Sequence, residues 1–92
     1  MQSHARAPTD KAARYMTQLA KHWSHKYETA FDATTARIVL PLGVCRMTAH
    51  TDALEVTLEP AEGADLARFE RVVAEHLNRF AFREPLALDW RR

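Results

Sequence analysis

Apolar side chains recur at intervals of three and four residues in two stretches of the chain, which predicts two amphipathic helices. The first helix is expected at about residues 10–24, and the second follows Pro60, with Glu62 and Asp65 in its first turn, and extends to Phe80. Each helix must bury its apolar stripe against another layer of structure. The stripes consist of Ala12, Met16, Leu19 and Trp23 in the first helix, and of Leu66, Phe69, Val73, Leu77 and Phe80 in the second.

Outside these helices, apolar and polar residues alternate with a period of two, which is the pattern of half-buried strands. Pro41 cannot donate a hydrogen bond to a neighbouring strand, so it indicates an edge or an irregularity, and Gly43 marks a bend. The predicted strands are residues 3–8, 27–31, 38–42, 45–50, 54–59 and 86–90, with a turn at 32–36 and a loop at 51–53.

This succession of elements predicts an α+β fold in which two helices pack on one face of an antiparallel sheet. The order is β-α-β(4)-α-β. Antiparallel strands joined by short loops can leave one face of a sheet open while helices cover the other. The order resembles that of folds similar to the TATA-binding protein, but a resemblance of element order says nothing about DNA binding.

Length and composition limit the class of protein. A chain of 92 residues is expected to form one domain, and its 47% hydrophobic residues are typical of a globular protein. The formal net charge is +1 with both signs mixed along the chain, which argues against nucleic-acid binding. No stretch has the apolar character of a signal peptide or a membrane span. Cys45 is the only cysteine, which favours a reducing compartment, and we expect the cytoplasm.

The sharpest local feature is the pair His22 and His25 at the end of the first helix. Residues three apart lie about 60° apart around a helix, so both imidazoles could reach one metal ion. Zinc takes three or four protein ligands, so His76 or Cys45 would have to complete the site. The alternative is that His22 and His25 are exposed residues favoured by the negative end of the helix dipole.

No catalytic motif accompanies these histidines. The two glycines are far too few for a phosphate-binding loop, and no nucleophile elbow is present. Cys45 is expected to be a small buried side chain on a sheet face, and His76 a residue at the boundary of the core. Phe80 and Phe82 are expected to belong to the core, although Phe82 could instead contact another subunit.

Several separated segments together resemble one known family. The segments SHARAPT, KHWSHKYE, LPLGVCRM and HLNRFAFREPLALDWRR extend over residues 3–92. They are similar to the bacterial domain of unknown function 2218 family. The resemblance implies a bacterial domain with a link to iron, because similar domains occur attached to siderophore-interacting proteins, which are flavin-dependent reductases. This chain is too short to contain the reductase itself.

Three hypotheses for function follow. The first is a non-catalytic accessory or binding domain beside iron or siderophore handling, with a siderophore-interacting reductase as partner and no resident cofactor. The second is a metal-binding protein or small metalloenzyme that uses His22, His25 and a distant ligand such as His76. The third is self-association through a sheet edge or the Phe82 region. The residues to test first are His22, Trp23, His25, Cys45 and His76.

Overall fold

The computed structural model describes residues 1–92. It contains five strands and two helices in the order β-α-β(4)-α, which is the predicted order without its last strand, so the α+β class is confirmed. The elements are β1 (Ser3–Pro8), α1 (Ala12–Ser24), β2 (Thr29–Phe31), β3 (Thr35–Leu40), β4 (Gly43–Ala49), β5 (Ala53–Pro60) and α2 (Leu66–Phe80).

All five strands belong to one sheet with the order β1-β5-β4-β3-β2, and every neighbouring pair is antiparallel. Strands β2 to β5 follow one another as successive hairpins. The last of them, β5, pairs with β1, the first strand of the chain, which forms the edge opposite β2. Both helices lie on the same face, where α1 contacts β2 to β5 and α2 contacts β5 and α1. The hydrophobic core lies between the sheet and this helical layer.

The periodicity of each helix explains its position in this layer. In α1, Met16, Leu19 and Trp23 point into the core as the stripe predicts. In α2, the centre of the stripe is fully buried, while Leu66 and Phe80 at its ends are partly buried. The Asp65 carboxylate accepts a hydrogen bond from the Arg68 backbone N–H at 3.2 Å and so caps the start of α2.

Two turns differ from the predicted boundaries. The Asp32 carboxylate accepts hydrogen bonds from the backbone N–H groups of Thr34 and Thr35, at 2.9 and 2.8 Å. This side-chain cap makes the turn tight enough for β3 to begin at Thr35, inside the predicted turn. At the other end, β3 stops at Leu40 and Leu42 lies in the turn, because Pro41 cannot continue the ladder.

The second face of the sheet carries ion pairs between strands. Arg46 on β4 donates to the Glu59 carboxylate on β5 at 2.8 Å, and Arg6 on β1 donates to Glu55 at 2.9 Å. These are the cross-strand charge pairs expected on an open sheet face, where each contributes a fraction of a kcal/mol up to about 1 kcal/mol.

The final strand predicted at residues 86–90 does not form, and the C-terminal segment pairs with β1 only through a single bridge between His4 and Arg91. The apolar residues that alternate in this segment are not held by strand pairing. The Leu86 N–H donates to the Asn78 side chain at 2.7 Å instead. Leu86 is buried, but Phe82 is 70% exposed, so the core prediction fails for Phe82. Neither helix is long and apolar enough to cross a membrane.

Candidate functional site

An aromatic cluster joins the last turn of α1 to the middle of α2. The ring of His76 lies 5.0 Å from that of Trp23 and 6.1 Å from that of His22, measured between centroids. Phe80 meets His22 edge to face at 6.1 Å. The fold therefore brings together two histidines that are 54 positions apart in the chain (76 − 22).

Two clefts meet at this cluster and share Trp23, Tyr27 and His76. The first has a volume of about 390 Å³ and is mainly apolar, which is a typical size and character for a small-molecule site. The second has a volume of about 420 Å³ and opens over the end of α1. The first cleft is also lined by Leu40, Pro41, Leu42, Arg68, Phe69 and Val72, and the second by His22, His25 and Lys26. We call the two together the histidine–aromatic cleft.

Each wall of the histidine–aromatic cleft has a local origin in the sequence. Arg68, Val72 and His76 are spaced by four on α2, so they lie on the same side of this helix. The opposite wall is the β3–β4 turn at Pro41 and Leu42. The cleft thus lies between α2, the end of α1 and the β3–β4 turn.

The His76 ring has a defined tautomer. Its Nδ1 lies 2.7 Å from the Val72 carbonyl oxygen, one turn earlier on α2. A carbonyl oxygen can only accept, so Nδ1 carries the proton that is donated. In the neutral ring, Nε2 is then the acceptor, and no other protein group hydrogen-bonds to it.

The lining of the histidine–aromatic cleft contains cationic and titratable basic side chains but no acidic one. Arg68 takes part in none of the ion pairs of the protein. It lies in the first turn of α2, where the positive end of the helix dipole adds to its positive charge. The Lys26 ammonium lies 5.6 Å from the centre of the Tyr27 ring. The cleft therefore favours a ligand that is both aromatic and negatively charged.

The depressions on the open sheet face have a different character. One spans β2 to β4 with a volume of about 420 Å³, but Arg37 and Arg46 in its lining already pair with Glu28 and Glu59. The other includes Glu55 and Asp89. Their charges are compensated within the protein, which leaves less to attract a ligand.

The predicted metal ligands do not form a metal centre in this structure. No group of three His, Cys, Asp or Glu side chains is placed to hold a metal ion. His22, His25 and His76 line the same cleft, but they are not arranged as a set of three ligands. Cys45 lines neither part of the cleft. It is fully buried on β4, and burial raises the pKa of its thiol to about 12.

The comparisons with known proteins identify the family. The family model described as "Uncharacterized protein conserved in bacteria (DUF2218)" matches residues 4–91. The chain belongs to this family. The NMR structure of PA4090 from Pseudomonas aeruginosa is similar to it with 34% identity and a TM-score of 0.79. The match covers 98% of this chain and 94% of that one. No curated protein matches the chain.

Sequence reasoning found part of the histidine–aromatic cleft and missed the rest. His22, Trp23, His25 and His76 were selected from the sequence, and all four line it. Arg68 is not among the residues selected from the sequence, although its spacing from His76 along α2 places the two on one side of the helix. The β3–β4 turn gave no such signal, because its position beside α2 depends on the packing of the whole domain.

Proposed function

We propose that this family member is a non-catalytic binding domain, and that the histidine–aromatic cleft takes a small aromatic anion. The observation that carries the proposal is the composition of the lining: aromatic rings and unpaired basic side chains without a carboxylate. A binding domain needs shape and charge complementarity but no reactive group, so these residues need not form a catalytic site.

The arrangement of the cleft suits such a ligand. Tyr27 and the exposed edge of Trp23 provide apolar ring surface, and rings packed on rings are stabilised by about 0.5–1.5 kcal/mol beyond their burial. Arg68 at the exposed edge supplies a planar donor that matches a carboxylate. The ring of the ligand would enter between the helices and the β3–β4 turn, with its charge towards Arg68.

Calorimetric titration with benzoate, benzylamine and cyclohexanecarboxylate tests this proposal. Benzoate should bind most tightly, because benzylamine has the wrong charge and cyclohexanecarboxylate has no aromatic face. Arg68→Gln should weaken benzoate binding about tenfold, the effect of one charge-assisted hydrogen bond. Arg71→Gln is the matched control, since Arg71 is exposed on α2 outside the cleft. Equal binding of benzoate and benzylamine would refute the charge argument.

The biological role that we propose is an accessory one beside iron or siderophore handling in the cytoplasm. Its support is the resemblance of family members to domains attached to siderophore-interacting proteins. The test is titration with ferric siderophores, together with a pull-down using a siderophore-interacting reductase from the same cell. Interaction with either supports the role. Absence of both interactions would remove the link to iron while leaving the aromatic-anion site to its own test.

Metal binding by His22, His25 and His76 is the alternative function, and the geometry does not favour it. Metal analysis of untagged protein separates the two hypotheses. A metal site should retain near-stoichiometric metal and lose it in the His22→Ala, His25→Ala double variant. Self-association through a sheet edge or the Phe82 region stays a prediction as well, and light scattering at several concentrations tests it.

A further inference from the structure

We infer that His76 makes the cleft select aromatic anions that also carry a hydroxyl group, so that the ligand class is a hydroxylated aromatic acid. The inference rests on the proposed function, because it assigns chemistry to a ligand of the histidine–aromatic cleft. It follows from one juxtaposition: Trp23, Arg68 and His76, whose Nε2 is left as an acceptor without a partner, line the same first cleft.

The first step is the hydrogen-bonding state of His76. Its Nδ1–H is used by the Val72 carbonyl oxygen at 2.7 Å, which fixes both the tautomer and the orientation of the ring. Contact with Trp23 at 5.0 Å between ring centroids further restrains the imidazole. Nε2 is therefore a positioned acceptor in the neutral ring, in a cleft where Arg68 and Lys26 can only donate.

The second step is the kind of ligand group that such an acceptor prefers. An amine would meet the cationic side chains Lys26 and Arg68 with a like charge, so a charged donor is disfavoured. A phenolic hydroxyl is neutral, donates one hydrogen bond and adds little volume to an aromatic ring. A site with an unpaired polar group discriminates against analogues that leave this group unsatisfied.

The test compares hydroxyl and methyl substituents on the same aromatic acid. Meta- and para-hydroxybenzoate are titrated against meta- and para-methylbenzoate, with benzoate as reference. The methyl group has almost the shape of the hydroxyl but is more apolar, so an apolar cleft alone would prefer the methyl compounds. We expect at least one hydroxybenzoate to bind about fivefold more tightly than its methyl counterpart, the effect of one neutral hydrogen bond.

Variants assign the preference to His76. In His76→Phe the ratio of hydroxybenzoate to methylbenzoate affinity should fall to one or below. His76→Gln retains an acceptor oxygen and should keep part of the preference. His4→Phe is the matched control, because His4 lies on β1 outside the cleft and its side chain pairs with Thr57. Circular dichroism checks that each variant is folded. The comparison of hydroxyl and methyl compounds on the wild-type protein does not depend on any variant.

The outcomes separate the two proposals. If benzoate binds but methyl compounds bind as well as hydroxyl compounds, the inference about His76 is wrong and the aromatic-anion site stands. The same holds if His76→Phe keeps the hydroxyl preference. If none of the acids binds, both proposals are wrong.

Discussion

The imidazole of His76 lies against the indole of Trp23, with 5.0 Å between ring centroids and an angle of 41° between ring planes. This contact joins α2 to the end of α1 at the edge of the core. Trp23 is 5% exposed, so the indole is held by packing and the imidazole forms the outer layer. The relationship explains why a cleft lined by both rings exists at this end of the domain.

Glu70 should make the domain sensitive to acid. Its carboxylate is almost fully buried, and it accepts hydrogen bonds from Arg92 at 2.9 and 3.2 Å and from the Ser3 hydroxyl. The hydrogen bonds from Arg92, more than that from Ser3, hold the pKa of Glu70 below its ordinary value of 4.5. Because the pKa of Glu70 is lower in the folded than in the unfolded state, the charged carboxylate stabilises the fold above pH 4.5. This contribution is lost as the pH falls through the folded-state pKa.

Chemical denaturation across this pH range tests the contribution of Glu70. Glu70→Gln should be less stable at neutral pH by about 1–3 kcal/mol and should lose less additional stability than the wild type in acid. Glu75→Gln, at an exposed position of the same helix, should follow the wild-type pH dependence. Parallel pH profiles for wild type and Glu70→Gln would contradict the assignment.

Gly43 should tolerate alanine much less well than Gly63. Both have a positive φ, +144° at Gly43 and +79° at Gly63, which strains any other residue. A Cβ at Gly43 would also lie against the Glu59 carbonyl oxygen and 2.8 Å from the Pro60 Cα, whereas a Cβ at Gly63 meets nothing. We expect a loss of about 3 kcal/mol or more for Gly43→Ala and about 1–2 kcal/mol for Gly63→Ala. Equal losses in denaturant titrations would show that the close approach of β5 is unimportant.

Cys45 should not react with thiol reagents while the domain is folded. It is fully buried, and desolvation raises the pKa of its thiol to about 12, so almost no thiolate exists at neutral pH. Labelling by a maleimide should therefore proceed only as fast as the domain opens, and added denaturant should accelerate it. Rapid labelling of the native protein, at the rate of an exposed thiol in a model peptide, is the result that this account excludes.

The sequence was sufficient to predict the architecture, because periodicity reports directly on burial. The stripe containing Met16 and Leu19 and the alternation around Val56 gave the elements and the face that each buries. The C-terminal segment was mispredicted as a strand, because alternation cannot distinguish ladder pairing from anchoring by a side chain such as Asn78. In the site, the local spacing of His22 and His25 was visible, but the contact between Trp23 and His76 depends on how α1 packs against α2.

The most direct test of the aromatic-anion site is an NMR titration with benzoate that follows the two tryptophan indole signals. Trp23 lines the histidine–aromatic cleft, while Trp90 lies in the C-terminal segment outside it and serves as an internal control. We predict a saturable shift of the Trp23 indole signal and of the His76 backbone amide, with the Trp90 indole unchanged. A titration in which Trp23 and His76 do not respond, or in which the Trp90 indole responds instead, would contradict the proposed site.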